Sequence, residues 1–114
     1  MSDCLFCKFV NGEIKPDKVY EDDELLAFRD ISPQAPIHIL VIPKRHISTL
    51  NDLESDDEAL MGKLILAAQK VAKEEGIDEV GYRTVINCNE DAGQSVFHIH
   101  LHLLGGRHMK WPPG

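Results

Sequence analysis

The sequence is poor in three features that would narrow its function at once: long apolar runs, cysteine and basic residues. No apolar run in the 114 residues approaches the about 20 residues needed to cross a bilayer. Residues 1–8 also lack the basic start and apolar core of a secretory signal. We therefore expect no membrane contact and a cytoplasmic location.

Basic residues are outnumbered, with 12 Lys and Arg against 19 Asp and Glu and a formal net charge of −7. Nonspecific binding of nucleic acid depends on cationic side chains that neutralise phosphates, so this balance disfavours a nucleic-acid partner. A small charged ligand in a local pocket remains compatible with it.

Cysteine occurs three times, as Cys4, Cys7 and Cys88. The odd count argues against a disulfide framework. The C-x-x-C pair leaves three interpretations, a redox couple, half of a metal site or two ordinary thiols, although a redox role lacks the parallel βαβ context. Cys88 is expected to be buried without a chemical role.

Local patterns predict a short helix, a long helix and several strands. The short helix covers residues 4–10 and ends at Asn11-Gly12, which tolerate a left-handed cap. The long helix begins at the N-cap Ser55, with Glu58 as capping-box partner, and ends at Gly76. Its apolar stripe, expected to cover a sheet, comprises Leu60, Met61, Leu64, Ile65, Ala68, Val71 and Ala72.

The predicted strands are mostly adjacent in sequence and joined by loops too short for parallel crossovers. They lie at residues 19–21, 25–30, 38–42, 82–88 and 96–104. We therefore predict an α+β fold, with an antiparallel sheet of about five strands, one long helix and a short N-terminal helix. Residues 1–114 are expected to form a single domain.

The strongest chemical signal is the alternation of histidine with apolar residues in the last predicted strand. Strand side chains alternate, so His98, His100 and His102 should share one face. A polar, solvated strand face normally uses Thr, Lys, Glu and Ser, whereas imidazole suits proton transfer, metal binding and nucleophilic attack. We expect chemistry centred on His100, with the opposite face filled by Phe97, Ile99, Leu101 and Leu103.

This segment resembles the motif of the histidine triad family, His-φ-His-φ-His-φ-φ with φ apolar, which reads HIHLHLL here. Further likeness lies in DISPQAP at residues 30–36, in His38 followed by VIPK at residues 41–44, and in GQS at residues 93–95. It continues in GGR at residues 105–107 and WPPG at residues 111–114. The chain is similar to the Hint branch, the histidine triad nucleotide-binding proteins.

The resemblance implies a homodimer that hydrolyses purine nucleoside 5′-phosphoramidates, or acyl-nucleotides, to nucleoside monophosphates. It implies a nucleotidyl intermediate on His100, which fits because neutral imidazole attacks phosphorus well. In this family scheme His102 contacts the phosphate. His38 orients His100 through a hydrogen bond, and Ser95 assists the departure of the leaving group. No cofactor is required for catalysis in this scheme.

The same resemblance implies the substrate contacts. Asp30 matches the ribose-binding acid, and Asn87, Gly93 and Gln94 match positions near the phosphate. The expected wall of the base pocket comprises Phe6, Phe9, Phe28, Ile31 and Leu40.

Some relatives also hold a structural zinc with two such cysteines and two histidines. The matching positions here are Cys4, Cys7, His46 and His98. A Cys₂His₂ set satisfies the tetrahedral preference of a closed structural zinc site. The resemblance therefore implies that the C-x-x-C pair is half of a metal site.

Two alternatives belong to other function classes. Either the three motif histidines, or two of them with His38, could hold a catalytic zinc that activates water. The domain could also bind nucleotides or proteins as an adaptor with vestigial hydrolysis.

Overall fold

The computed structural model describes residues 3–114. In this range the chain forms a short helix α1 and a long helix α2, with short 3-10 turns and five strands β1 to β5. No helix of the described range is both long and apolar enough to cross a membrane. The bounds are α1 Leu5–Val10, β1 Lys18–Glu21, β2 Leu25–Arg29, β3 Ile37–Pro43, α2 Glu58–Glu74, β4 Tyr82–Ile86 and β5 Leu101–Gly105.

The strands form one antiparallel sheet in the order β1-β2-β3-β5-β4. Strand β5 enters between β3 and β4, so that Leu40 pairs with His102 and Val85 pairs with His102 from the other side. The last of the three motif histidines is therefore fixed in the middle of the sheet. The predicted α+β class, with its five-stranded antiparallel sheet and two helices, is confirmed.

The two helices cover opposite faces of the sheet. Helix α2 packs on the face that presents Ile39, Leu101 and Leu103, all less than 1% exposed. Helix α1 lies on the other face, where a smaller core forms from Phe6, Leu26, Phe28, Leu40 and Ile42. Burial of each such side chain contributes about 1.5–3 kcal/mol. The functional face is the one under α1, because the side chains of His100 and His102 point there.

The start of the long helix differs from the prediction. Ser55 lies inside a 3-10 turn, Ser55–Asp57, and α2 begins only at Glu58. The carboxylate of Asp57 accepts the backbone N–H of Glu54 at 2.9 Å and forms an ion pair with Arg45. Asp57 therefore closes this turn, and the predicted Ser55–Glu58 capping box is wrong.

The apolar stripe of α2 is confirmed except at one position. Leu64, Ala68, Val71 and Ala72 are buried, and Leu60 and Met61 are half-buried against the same core. Ile65, in contrast, is 50% exposed. Successive helical residues are about 100° apart, so Ile65 turns away from the sheet when Leu64 points into it.

The last strand is shorter than predicted, because β5 begins at Leu101 and residues 96–100 leave the sheet. The backbone N–H of Ile99 donates to the carbonyl of Ile47 at 2.8 Å, a residue beyond the end of β3. Side chains still alternate, with His98 and His100 opposite to Ile99. Phe97 is 47% exposed and does not join the core, contrary to expectation.

Candidate active site

A cleft of about 420 Å³ opens on the α1 face of the sheet. Helix α1 and β2 form its apolar walls, and His100 and His102 lie at its inner end. Nine of the thirteen residues predicted for catalysis or substrate binding line it: Phe6, Phe9, Phe28, Asp30, Ile31, Leu40, Ser95, His100 and His102. The topology thus gathers residues separated by up to 96 positions.

The walls include a cluster of three aromatic rings. The ring of Phe28 lies 5.4 Å from that of Phe6 and 4.9 Å from that of Phe9, in edge-to-face geometry. Such pairs hold their rings in fixed orientations. Phe6 also packs edge-on against the imidazole of His100 at 5.1 Å, so the aromatic cluster shields that histidine from water. Ile31 is 96% exposed at the rim.

His100 is oriented by the backbone, not by His38. Its Nδ1 lies 2.8 Å from the carbonyl oxygen of His98, and a carbonyl can only accept. We therefore assign the ring proton of neutral His100 to Nδ1, which leaves a lone pair on Nε2. The expected orienting bond from His38 to His100 is wrong, because the chain itself supplies the acceptor two residues earlier.

His38 instead forms a relay with His102. The backbone N–H of Gln34 donates to Nδ1 of His38 at 3.0 Å, so the ring proton of His38 lies on Nε2. That Nε2–H lies 2.9 Å from Nδ1 of His102, which must accept, and the proton of His102 then lies on Nε2. His38 and His102 thus share the Nε2–H tautomer, which is opposite to the Nδ1–H tautomer of His100.

Burial keeps these rings neutral. Desolvation lowers the pKa values of His38, His98 and His100 below the ordinary histidine value, although Asp30 partly opposes this for His38 and His100. Desolvation lowers the pKa of His102 to about 4, with further lowering by His100 and His38. All four rings are therefore neutral at pH 7.

The Nε2–H of His102 is available to donate a hydrogen bond to a ligand. Within residues 3–114 this buried atom has no hydrogen-bond partner. An unsatisfied buried donor costs about 1–3 kcal/mol, and such atoms are rare unless a ligand satisfies them. Because His102 lines the cleft, an acceptor bound there would relieve that cost.

A second cluster on the same face has the composition of a metal site. The side-chain donor atoms of Cys4, Cys7, His46 and His98 all lie within 4.8 Å of one another. Nδ1 of His98 is 3.4 Å from Sγ of Cys4 and 3.6 Å from Sγ of Cys7, and 3.2 Å from Nδ1 of His46. Tetrahedral zinc with ordinary bond lengths requires about 3.6 Å between S and N and about 3.3 Å between two N atoms. The four residues therefore fit zinc.

The surroundings of His98 support the same fit. Its Nε2 donates to the carbonyl of Pro43 at 2.7 Å, which leaves the Nδ1 lone pair facing the cysteines. A carbonyl on the second ring nitrogen is the usual arrangement for a metal-binding histidine. Asp30, His38 and His102 also lie close together. However, the 2.9 Å between His38 and His102 is shorter than two ligands of one tetrahedral metal would allow and fits a hydrogen bond.

Comparison with known proteins agrees with this geometry. The HIT domain family model matches residues 11–109. The chain is 53% identical over 103 residues to the purine nucleoside phosphoramidase of Escherichia coli, which covers 90% of this chain and 87% of that protein. The chain belongs to the histidine triad (HIT) family. The predicted resemblance is therefore confirmed.

Further HIT proteins match this chain over almost its whole length. An uncharacterised HIT-like protein of Synechococcus elongatus is 54% identical over 112 residues, covering 98% of this chain and 97% of that protein. The crystal structure of a HIT family hydrolase from Legionella pneumophila superposes with a TM-score of 0.97 at 57% identity. That match covers 98% of this chain and 100% of the other. The fold of the HIT chain is thus shared over its full described length.

The side chain of Gln94 is held by three hydrogen bonds within the chain. Its amide nitrogen donates to the carbonyls of Ser48 and Val96, and its amide oxygen accepts the backbone N–H of Asn89. Both amide hydrogens are therefore used within the chain, and the side chain has no donor left for a phosphate. Gln94 stabilises the loop that presents Ser95, and its place near the phosphate stays a prediction.

Gly93, Asn87 and His38 also lie outside the lining of the cleft. The backbone N–H of Gly93 donates to Glu90 at 2.9 Å inside the same loop. Gly93 has φ +87°, a left-handed conformation that glycine adopts without strain. Its role in the described structure is to turn the chain towards Ser95. Asn87 is half-buried just after β4, and His38 acts through His102.

Several lining residues were not predicted. They lie in α1, in the loop after it, at the end of β2 and before β5: Leu5, Ile14, Lys15, Pro16, Asp17, Arg29 and Val96. The loop after α1 carries no periodicity that would have indicated a ligand site. Its position becomes clear only from the backbone N–H of Arg29, which donates to the carbonyl of Asp17 at 2.9 Å and ties the loop to β2.

Proposed function

We propose that this HIT protein hydrolyses purine nucleoside 5′-phosphoramidates, or related acyl-nucleotides, to nucleoside monophosphates. The observation that carries the proposal is the pair of opposite tautomers in His100 and His102. One ring offers a lone pair on Nε2 and its neighbour offers an Nε2–H. A nucleophile beside a donor for a phosphate oxygen suits phosphoryl transfer.

The reaction follows in two steps. The Nε2 lone pair of His100 forms a bond to phosphorus, and the P–N bond to the amine breaks. The amine leaves with that electron pair and takes up a proton from solvent through the hydroxyl of Ser95, which lies beside the bridging atom; the attack of water in the second step releases a proton in return. Water then attacks phosphorus, the P–Nε2 bond breaks, and the nucleoside monophosphate and neutral His100 are released.

His102 stabilises charge in both steps. Its Nε2–H donates to a non-bridging phosphate oxygen, and the relay from Gln34 through His38 fixes that donor. The donor is already oriented and desolvated, so no reorganisation is needed when negative charge develops on the phosphate.

The rest of the cleft suits a nucleoside. The apolar walls with the ring cluster of Phe6, Phe9 and Phe28 would receive a flat purine. The carboxylate of Asp30, one oxygen of which accepts the N–H of Ser32 at 2.7 Å, would accept a ribose hydroxyl. The name of the Escherichia coli relative supports the purine class for this chain.

We also propose a structural zinc at Cys4, Cys7, His46 and His98. With four protein ligands such a site keeps no open position for substrate, and zinc there would join α1 to the segments before and after the long helix. Catalysis requires no metal in this scheme. A catalytic zinc on the motif histidines is disfavoured because their ring nitrogens do not converge on one point. Among the described residues, His98 groups with the cysteines, His102 groups with Asp30 and His38, and His100 belongs to neither group.

The test is a search for the covalent intermediate. Adenosine and guanosine phosphoramidates are mixed with wild-type protein, quenched in acid and analysed by mass spectrometry for a nucleotidylated histidine peptide. His100→Ala should abolish turnover yet bind adenosine monophosphate within a few-fold of wild type, because the cleft walls remain. His108→Ala, which changes an exposed histidine, is the matched control and should be fully active. Wild-type turnover in His100→Ala would contradict the nucleophile, and nucleotide binding without any turnover in wild type would favour the adaptor.

A further inference from the structure

A second cleft of about 440 Å³ lies next to the first. The two share Leu5, Ser95 and Val96 as lining residues. The two clefts are therefore adjacent at Ser95, the residue proposed to stand beside the bridging atom of the substrate.

The second cleft opens away from His100 and His102. Within residues 3–114 it is lined by Ser95 but not by His100 or His102, both of which line the first cleft. In phosphoryl transfer the attacking and leaving atoms are roughly in line on opposite sides of phosphorus. A group that departs from His100 past Ser95 therefore moves towards the second cleft.

The lining of the second cleft selects a class of ligand. Leu5 and Phe97 contribute apolar surface and are 40% and 47% exposed, although the fold gives neither of them a core to fill. The exposed carboxylate of Asp3 and the hydroxyl of Ser48 are on the same lining, together with Cys4 and His46 of the proposed zinc site. An aromatic face with a carboxylate beside it suits a flat or apolar group that carries a positive charge.

We propose that this second cleft is the leaving-group subsite, and that it favours amines with an apolar or aromatic body and a distal ammonium group. The proposal rests on the proposed function, because the amine is the product released when the P–N bond breaks. Phe97 and Leu5 contact the body of the amine, and Asp3 attracts its distal charge. Selectivity for the amine thus comes from residues that do not touch the nucleoside.

The experiment uses four adenosine 5′-phosphoramidates with leaving groups of graded size and charge: ammonia, methylamine, 2-phenylethylamine and 2-(4-aminomethylphenyl)ethylamine. Phe97→Ser should lower kcat/KM for the two aromatic amines by about tenfold and leave the ammonia compound within about twofold. Asp3→Asn should lower kcat/KM up to about fivefold for the diamine alone, because exposed ion pairs are weak. Val80→Ser removes an 87% exposed apolar side chain outside both clefts and should match wild type throughout.

A binding measurement separates this proposal from the chemistry. In His100→Ala, the 2-phenylethylamine compound should bind tighter than the ammonia compound, and this ratio should vanish when Phe97→Ser is added. Equal effects on all four substrates, or none, would overturn the subsite while the proposed function stands. A wild-type protein that cleaves none of the four contradicts the proposed function and the subsite with it.

Discussion

Histidine has several different roles in this site, and in each case the partner of one ring nitrogen determines the role. His98, His100 and His102 have the same unperturbed chemistry, yet the first faces two thiols and the second donates to a carbonyl. The third accepts from another histidine. Because a neutral imidazole has one donor and one acceptor, fixing either nitrogen determines what the other can do. Small changes in these partners should therefore change function more than fold.

The role of Ser95 can be tested with leaving groups of different basicity. Ser95→Ala should slow alkylamine substrates by about 10²-fold or more and arylamine substrates much less, because poor leaving groups need proton assistance most. The measurement is the slope of log kcat against the pKa of the leaving amine, which should become steeper in the variant. Ser55→Ala changes an exposed hydroxyl outside both clefts and is the control. Parallel losses across the series would remove Ser95 from this role.

The pH dependence follows from the lowered pKa values. Only neutral His102 can accept from His38 and still donate to phosphate, and burial lowers its pKa to about 4. The pKa of His100 is also lowered by burial, so its lone pair survives below the ordinary histidine value. As pH falls, the half-maximal point of kcat/KM should lie below pH 6.5, the ordinary histidine pKa. The profile should be recorded with a substrate that does not titrate in this range, with the zinc content checked in the same samples. A half-maximal point at or above pH 6.5 would contradict the assignment.

At the scale of the elements, the sequence predicted what local periodicity determines and missed what distant contacts determine. The hairpin of β1 and β2, the end of α1 at Asn11 and the buried stripe of α2 follow from local patterns. The early end of the last strand does not, because Ile99 pairs with Ile47, which lies 52 positions earlier. The sequence also did not predict the hydrogen bonds of the Gln94 amide, since one of them joins it to the distant carbonyl of Ser48.

In the candidate site, too, the sequence predicted residue identities but not the contacts between distant residues. The identity of the motif histidines and the aromatic wall could be predicted from residue type and family resemblance. The partner of His38 could not, because the register of β3 against β5 places Leu104 opposite it and leaves His102 within reach. Neither could the second cleft, which depends on where residues 95–97 leave the sheet.

The metal assignment can be tested at the level of α1, which contributes Cys4 and Cys7. If zinc binds there, it should be present at one equivalent per chain, and Cys4→Ala or Cys7→Ala should lose metal and lower the unfolding midpoint, because coordination and folding are linked. Turnover per folded molecule should survive. Cys88→Ala is the matched control, because Cys88 is a half-buried thiol outside the cluster.

His100→Ala should give the reverse pattern, with full zinc content and normal stability but no turnover. Metal lost in His100→Ala and retained in Cys4→Ala would overturn both assignments and favour a catalytic zinc. Protein purified without chelators that contains no zinc would reduce Cys4 and Cys7 to packed thiols and leave the nucleophile untouched.

For the whole molecule, the main unexplained surface lies at one edge of the sheet. Strand β4 is an edge strand with β5 on one side, and Tyr82 on it is 37% exposed. On the outward side of α2, Ile65 and Leu66 are 50% and 62% exposed. Association with another chain commonly covers open strand edges and clustered apolar side chains. We therefore expect the homodimer implied by the family to form through β4 and the outward face of α2.

We predict that the protein is a dimer at micromolar concentration, with β4 and the outward face of α2 in the interface. Leu66→Glu should shift sedimentation towards the monomer, because a stable interface of about 800 Å² per partner cannot easily bury an unpaired carboxylate at its centre. Asp23→Lys, in the turn between β1 and β2 at the opposite edge of the sheet, should leave the dimer intact. Leu66 is not needed for the core, so circular dichroism and thermal unfolding should show that the variant still folds. A monomeric wild type, or a Leu66→Glu protein as dimeric as wild type, would contradict the interface. If only Asp23→Lys dissociates, the dimer forms through β1 instead.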